Sequence, residues 1–130
     1  MKSKDKQKKV VAFDLDDVLC SRPEGIEHLG IEKYKQCYPN EYYVNLVNIL
    51  YNKGYKIVIY TARGMTSLDG DIPLIYEKLY PTTKTQLEEW GVKFDELIMG
   101  KIHYDILIDD KAINSFNKNL YEEILEILDN

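Results

Sequence analysis

The residues able to do chemistry in this chain sit where apolar runs stop. Asp14, Asp16 and Asp17 close a run that begins at Val10. Thr61, Ala62 and Arg63 close a second, Lys101 follows a third, and Asp109 and Asp110 follow a fourth. An unpartnered carboxylate inside a core is costly, so three acids at the end of a core strand belong at a rim rather than in the interior. Carboxylates that converge from several strand ends repel one another unless a cation holds them. An all-oxygen donor set favours a hard divalent ion, and Mg²⁺ commonly takes a few carboxylates, waters and a substrate phosphate. Thr61 offers a hydroxyl and neighbouring backbone N–H groups to phosphate oxygens, and Lys101 offers a point charge. Together these are the parts of phosphoryl transfer, which is mostly positioning and charge stabilisation.

Such residues, up to 96 positions apart, meet only if the elements carrying them share an edge. Four short runs rich in Val, Ile and Leu read as buried parallel strands: Val10–Asp14, Lys56–Tyr60, Glu96–Met99 and Tyr104–Ile108. Helical patterns lie between and after them. Asn40 caps a candidate helix to about Lys53, with Tyr43, Leu46, Val47 and Leu50 on one face and Gly54 closing it. A second spans Thr83 to Trp90 before Gly91, and a third spans Ser115 to Leu128, with Leu120, Ile124 and Leu128 in register. This alternation predicts an α/β fold, a three-layer Rossmann-like parallel sheet with helices on both faces. In such a sheet the carboxyl ends of the strands form one rim, where ligands bind. The stretches Ser21–Pro39 and Gly64–Pro81 read as loops leaving that rim and as candidate covers for a substrate.

Asp14-x-Asp16-x-Val18 after one strand, Thr61 ending a second, Lys101, and Asp109-Asp110 ending a fourth resemble, in type and order, the four motifs of the haloacid dehalogenase superfamily. The resemblance implies a haloacid-dehalogenase-like fold and a Mg²⁺-dependent phosphatase. Asp14 would be the nucleophile, forming an aspartyl-phosphate, and a metal ligand. Asp16 would act as general acid and then base, with its backbone carbonyl on the metal. Thr61 and Lys101, with Ala62 and Arg63, would hold the phosphoryl group, and Asp110 and Asp109 would complete the metal site. Many members carry glycine where Asp17 stands. The intervals that usually hold a cap domain are short here, so the resemblance implies little or no cap, or one borrowed from a neighbouring subunit of a homo-oligomer. The stretches YTARGM and MGKIHYDILIDDKA further resemble the small bacterial phosphatases of capsule and surface-polysaccharide biosynthesis. That implies a phosphorylated sugar or sugar-linked precursor as substrate.

The rest of the sequence narrows the field. The chain has 130 residues, 45% hydrophobic and 30% charged, which suits one soluble globular domain. A net charge of −5 argues against nucleic acid or an anionic membrane as the main partner, and no apolar stretch is long enough to span a bilayer. Residues 1–8 read as a disordered basic tail. Cys20 and Cys37, the two cysteines, read as reduced thiols of a cytoplasmic protein. Arg63 could bind phosphate or form a surface salt bridge. Lys111 neutralises the adjacent acids, and Trp90 packs between helix and sheet. His28 and His103 are secondary candidates for substrate contact, and Tyr34 and Tyr38 for lining the entrance. The alternatives are a phosphotransferase, phosphomutase or nucleotidase of the same superfamily, a receiver-like signalling domain, and a non-catalytic partner subunit. A receiver would place its acid pair first and its Lys last, whereas here Lys101 precedes Asp109-Asp110.

Overall fold

A computed structural model describes residues 9–129; the expected tail at 1–8 lies outside the described residues. The elements run in the order β1 (Val10–Asp14), β2 (Cys20–Ser21), a 3₁₀ segment (Glu27–Gln36), β3 (Tyr38–Pro39), α1 (Glu41–Asn52), β4 (Lys56–Thr61), α2 (Ile72–Lys78), α3 (Tyr80–Glu89), β5 (Glu96–Met99) and α4 (Leu120–Asp129). The expected α/β class holds. Three of the expected strands form, within one residue of the expected bounds, as a parallel sheet of order β1-β4-β5.

Register makes the rim concrete. Asp14 lies beside Tyr60, and Thr61 beside Met99. One face of the sheet carries Phe13, Ile57, Ile59, Thr61, Leu97 and Met99, all buried in the core with Val47 and Leu50 of α1 and Ile75 of α2. Both crossovers step in the same direction across the sheet, and right-handed crossovers then place their helices on the same face. The other face is largely open. Val10, Tyr60 and Ile98 are exposed there, and Lys56 pairs with Glu96 across it at 3.2 Å. The expectation of helices on both faces is therefore corrected for the sheet as described. α4 adds Leu120 and Ile124 to the same core.

A second correction concerns the fourth strand. Tyr104–Ile108 is irregular, and Ile106 and Ile108 are 79% and 94% exposed. Among the described residues, β1 pairs with β4 alone within its sheet. The run YDILI carries the apolar content of a strand, but a strand exists only through its partner's hydrogen bonds, and among the described residues the parallel strand pairings are β1 with β4 and β4 with β5.

The stretch Gly64–Pro81, expected as a loop, contains α2. Asp71 caps it by accepting a hydrogen bond from the Leu74 N–H at 3.2 Å, and Pro73 sits in its first turn. α4 begins at Leu120 rather than Ser115. The Asn114 and Asn117 side chains accept from the Phe116 and Asn119 N–H groups, each at 2.8 Å, and so hold the approach in turns. Asn40 stands at the start of α1, but its side chain does not cap. It donates to the Val18 carbonyl at 2.9 Å and meets the Ser21 hydroxyl at 3.0 Å, tying α1 to the turn after β1.

Candidate active site

The carboxyl rim gathers Asp14, Thr61 and Lys101, as their strand ends predict. The Lys101 N–H donates to the Thr61 carbonyl at 3.1 Å, fastening the exit of β5 to the end of β4. Lys101 Nζ thereby reaches Asp14 Oδ2 at 3.3 Å, while Asp14 Oδ1 accepts from the Leu15 N–H at 2.9 Å. Burial pushes the Asp14 carboxyl above its ordinary value, against the pull of Lys101. Lys101 is raised: burial lowers it, but Tyr104 and Asp14 outweigh that effect. Thr61 is fully buried, and its hydroxyl accepts from the Arg63 N–H at 3.1 Å. Ala62 is half-buried between them, its carbonyl closing a turn with the Met65 N–H.

The turn after β1 folds around one carbonyl. Leu15 O accepts from the N–H groups of Val18, Leu19 and Cys20 at 2.9–3.2 Å, and the Asp17 N–H donates to Cys20 O at 2.8 Å. The turn requires a left-handed residue, and Asp17 supplies it with φ of 68°. Aspartate is one of the few residues with a side chain that adopt this conformation readily. Asp17 therefore stands where the resemblance has glycine for a backbone reason, and its side chain is exposed.

Asp16 faces inward to Arg63, which is 1% exposed. Arg63 Nε lies 3.0 Å from Asp16 Oδ2, and Nη2 lies 3.0 Å from Oδ1. Neither sequence reading of Arg63, phosphate ligand or surface salt bridge, describes this buried pair. The remaining guanidinium N–H groups reach Thr83 Oγ1 at 3.2 Å, Gln86 Oε1 at 2.7 Å and Cys20 Sγ at 3.7 Å, and the ring of Tyr34 lies 5.0 Å from the guanidinium carbon. Gln86 in turn donates to the Tyr34 carbonyl at 2.7 Å, and the Tyr34 hydroxyl accepts from the Gly64 N–H at 3.1 Å. The 3₁₀ segment is thus bolted over the end of β4 through Tyr34, which is buried rather than lining an entrance. Thr83 and Gln86 were not singled out as site residues in the sequence, and Tyr34 only as a lining of the entrance. The one available signal was Thr83 and Gln86 at i, i+3 on a helix whose inward face is otherwise apolar.

Two thiols complete this cluster. Cys20 and Cys37 are both buried, with Sγ atoms 3.4 and 3.7 Å from Asp16 Oδ1. The hydrogen bond between them, together with burial, pushes the Cys20 thiol up. The same bond draws Cys37 down against its own burial.

Asp109 and Asp110 are not brought to this cluster. Both are exposed on the irregular segment, where the Lys111 N–H donates to Asp109 Oδ1 at 3.0 Å and holds that carboxyl below its usual range. Among the described residues, the one group of three potential side-chain metal ligands within 4.8 Å of one another is Asp16, Cys20 and Cys37. Two sulfurs beside an arginine do not suit Mg²⁺, which takes oxygen donors. The donor set expected for Mg²⁺ therefore does not assemble in this conformation. His28, His103 and Tyr38 are exposed, and Trp90 packs half-buried against the core.

Sheet order, crossover helices and a polar carboxyl rim define an α/β protein with a parallel sheet. Comparison with solved structures agrees at that level. The chain is similar to an MCSG target from Vibrio cholerae whose crystal structure aligns with a TM-score of 0.72 at 24% identity, covering 92% of this chain and 98% of that one. No family model matches the chain, and no curated protein matches it. No helix among the described residues is long and apolar enough to cross a membrane.

Proposed function

We propose that this chain is a phosphatase of the haloacid dehalogenase superfamily, hydrolysing a small phosphomonoester through an aspartyl-phosphate on Asp14. The observation that carries the reading is the convergence of Asp14, Thr61 and Lys101, from three strand ends, on one rim. Asp14 Oδ2 would attack phosphorus while Lys101 Nζ balances charge on the phosphoryl oxygens. The N–H groups beyond Thr61 would bind those oxygens. Asp16, a quarter exposed at its side chain, would pass a proton to the leaving oxygen and later take one from the attacking water. Arg63 serves the reaction by fixing Asp16 rather than by touching phosphate.

The same reading places Mg²⁺ beside Asp14 and the Asp16 carbonyl. It requires Tyr104–Ile108 to move to the unpaired edge of β1, which would carry Asp109 and Asp110 toward Asp14. A phosphorylated sugar or sugar-linked precursor, a cytoplasmic location and a cap shared between subunits belong to this proposal and rest on the motif resemblance.

Asp14→Asn should abolish phosphate release from p-nitrophenyl phosphate while leaving circular dichroism and Tm near those of the unaltered protein. Hydrolysis by that variant at the unaltered rate would end the nucleophile assignment. Ranking sugar phosphates, phosphorylated amino alcohols and nucleotides by kcat/KM would identify the substrate class.

A further inference from the structure

The Cys20–Cys37 pair has no part in the hydrolysis proposed above, yet it is built into the same cluster. The β2–β3 ribbon sets Cys20 opposite Pro39, so Cys37 is its diagonal neighbour on the same face of the ribbon. The two Sγ atoms lie within 4.8 Å of each other and both touch Asp16 Oδ1. Their accessibilities differ. Cys20 is fully closed, whereas Cys37 borders a surface cavity of about 480 Å³ that is also lined by Lys35, Gln86 and Trp90. A small oxidant in that cavity reaches the residue at its wall, Cys37, before the closed Cys20, whose sulfur lies within 4.8 Å of the Cys37 sulfur.

We infer that Cys20 and Cys37 form a reversible, peroxide-driven disulfide that acts as a redox clamp on the segment between them. Cys37 sulfur attacks one oxygen of a hydroperoxide and the O–O bond breaks. The thiol proton leaves with the departing oxygen, as water when hydrogen peroxide is the oxidant. Cys37 is then a sulfenic acid. Cys20 sulfur attacks that sulfur, the S–O bond breaks, and a second water leaves with the Cys20 proton. Two thiols are oxidised to one disulfide, and one hydrogen peroxide is reduced to two waters. The product covalently closes the segment that contains Tyr34, the residue joining the 3₁₀ segment to Arg63 and Gly64. It also draws both sulfurs toward each other and away from Asp16. A metal site on the same three residues is disfavoured by the Arg63 guanidinium already seated on the Asp16 carboxylate.

The test is hydrogen peroxide treatment of the reduced full-length protein, followed by alkylation and peptide mapping without reductant. A cross-linked Cys20–Cys37 peptide from monomeric protein, lost on dithiothreitol treatment, is expected. Cys20→Ser should leave a Cys37 sulfenic acid that dimedone traps, whereas Cys37→Ser should leave Cys20 unmodified. Two alkylatable thiols after peroxide, over-oxidised Cys37 beside free Cys20, or cross-links only between molecules would each overturn the inference.

The clamp's effect on hydrolysis rests on the phosphatase reading. The oxidised protein should lose roughly tenfold or more in p-nitrophenyl phosphate turnover, because the clamp constrains Tyr34, which packs on the Arg63 that positions Asp16, and dithiothreitol should restore it. A mapped disulfide with unchanged turnover would refute the regulatory role. A reduced protein with no turnover would refute the phosphatase reading and leave the mapped disulfide standing.

Discussion

The guanidinium of Arg63 is sealed from solvent and grips Asp16 through two nitrogens at 3.0 Å, although the residues are 47 positions apart. The pair joins the turn after β1 to the turn after β4. Its remaining bonds go to Thr83 and Gln86 on α3 and to the Cys20 sulfur, so one side chain ties together three parts of the chain.

Removing the acid should therefore cost stability as well as chemistry. Asp16→Ala leaves a buried cation unpaired, at about 3–5 kcal/mol, whereas Asp16→Asn keeps an oxygen for Arg63 and should lose less. Asp14→Ala, at the half-buried partner of Lys101, should lose less than Asp16→Ala. Urea unfolding of the three variants checks the order, and equal losses for Asp16→Ala and Asp14→Ala would contradict it.

Acid dependence should report Asp14. Burial raises its carboxyl above the ordinary 3.8, with Lys101 opposing. The folded protein then holds this proton to higher pH than the unfolded chain, so Asp14 by itself lowers stability as pH rises through the region just above 3.8. On the phosphatase reading proposed above the nucleophile is ionised, so the acid limb of kcat/KM should lie above that value. Lys101→Met removes the opposing charge and should move the limb further up. Lys101 is raised instead, so its own contribution is complete below 10.5 and disappears as pH climbs past its folded value. Rate profiles of both proteins supply the comparison, and an unmoved limb in Lys101→Met would disprove the coupling.

Gly64 is confined twice. Its φ is 85°, and a Cβ there would stand 2.7 Å from Ile75 Cγ1 and 2.8 Å from Leu79 Cδ1. Gly64→Ala should destabilise by about 2–4 kcal/mol, from left-handed strain plus displacement of α2. Thermal melts would show this, and a loss below that of an exposed helix substitution would mean the loop relaxes freely.

Asp17 tests the backbone account of the third acid. Asp17→Gly keeps the left-handed turn and should be neutral or slightly stabilising, while Asp17→Val should cost about 1–2 kcal/mol. Equal stability of the two variants would show that φ of 68° is not what selects the residue.

How much of this was legible beforehand depends on the range of the forces involved. Strands β1, β4 and β5 and helices α1 and α3 follow from local apolar periodicity and from stops at Gly54 and Gly91, both left-handed here. Placing Asp14, Thr61 and Lys101 at strand ends needs only the rule that parallel strands share a carboxyl edge. Tyr104–Ile108 marks the limit: its composition is that of a strand, but pairing is a property of two segments, and the partner cannot be read from one. Arg63 marks another. Its neighbours in sequence suggest a surface cation, and only the packing of α3 and the 3₁₀ segment over the end of β4 buries it and obliges it to find Asp16. Local sequence was enough for the class of fold and for the strand ends that carry Asp14, Thr61 and Lys101, because strand and helix patterns depend on residues a few positions apart. It also sent Asp109 and Asp110 to the rim, where the structure does not bring them. The tertiary structure alone decided which of them pair, which are sealed and which stay in water, because desolvation depends on every segment that closes over a group.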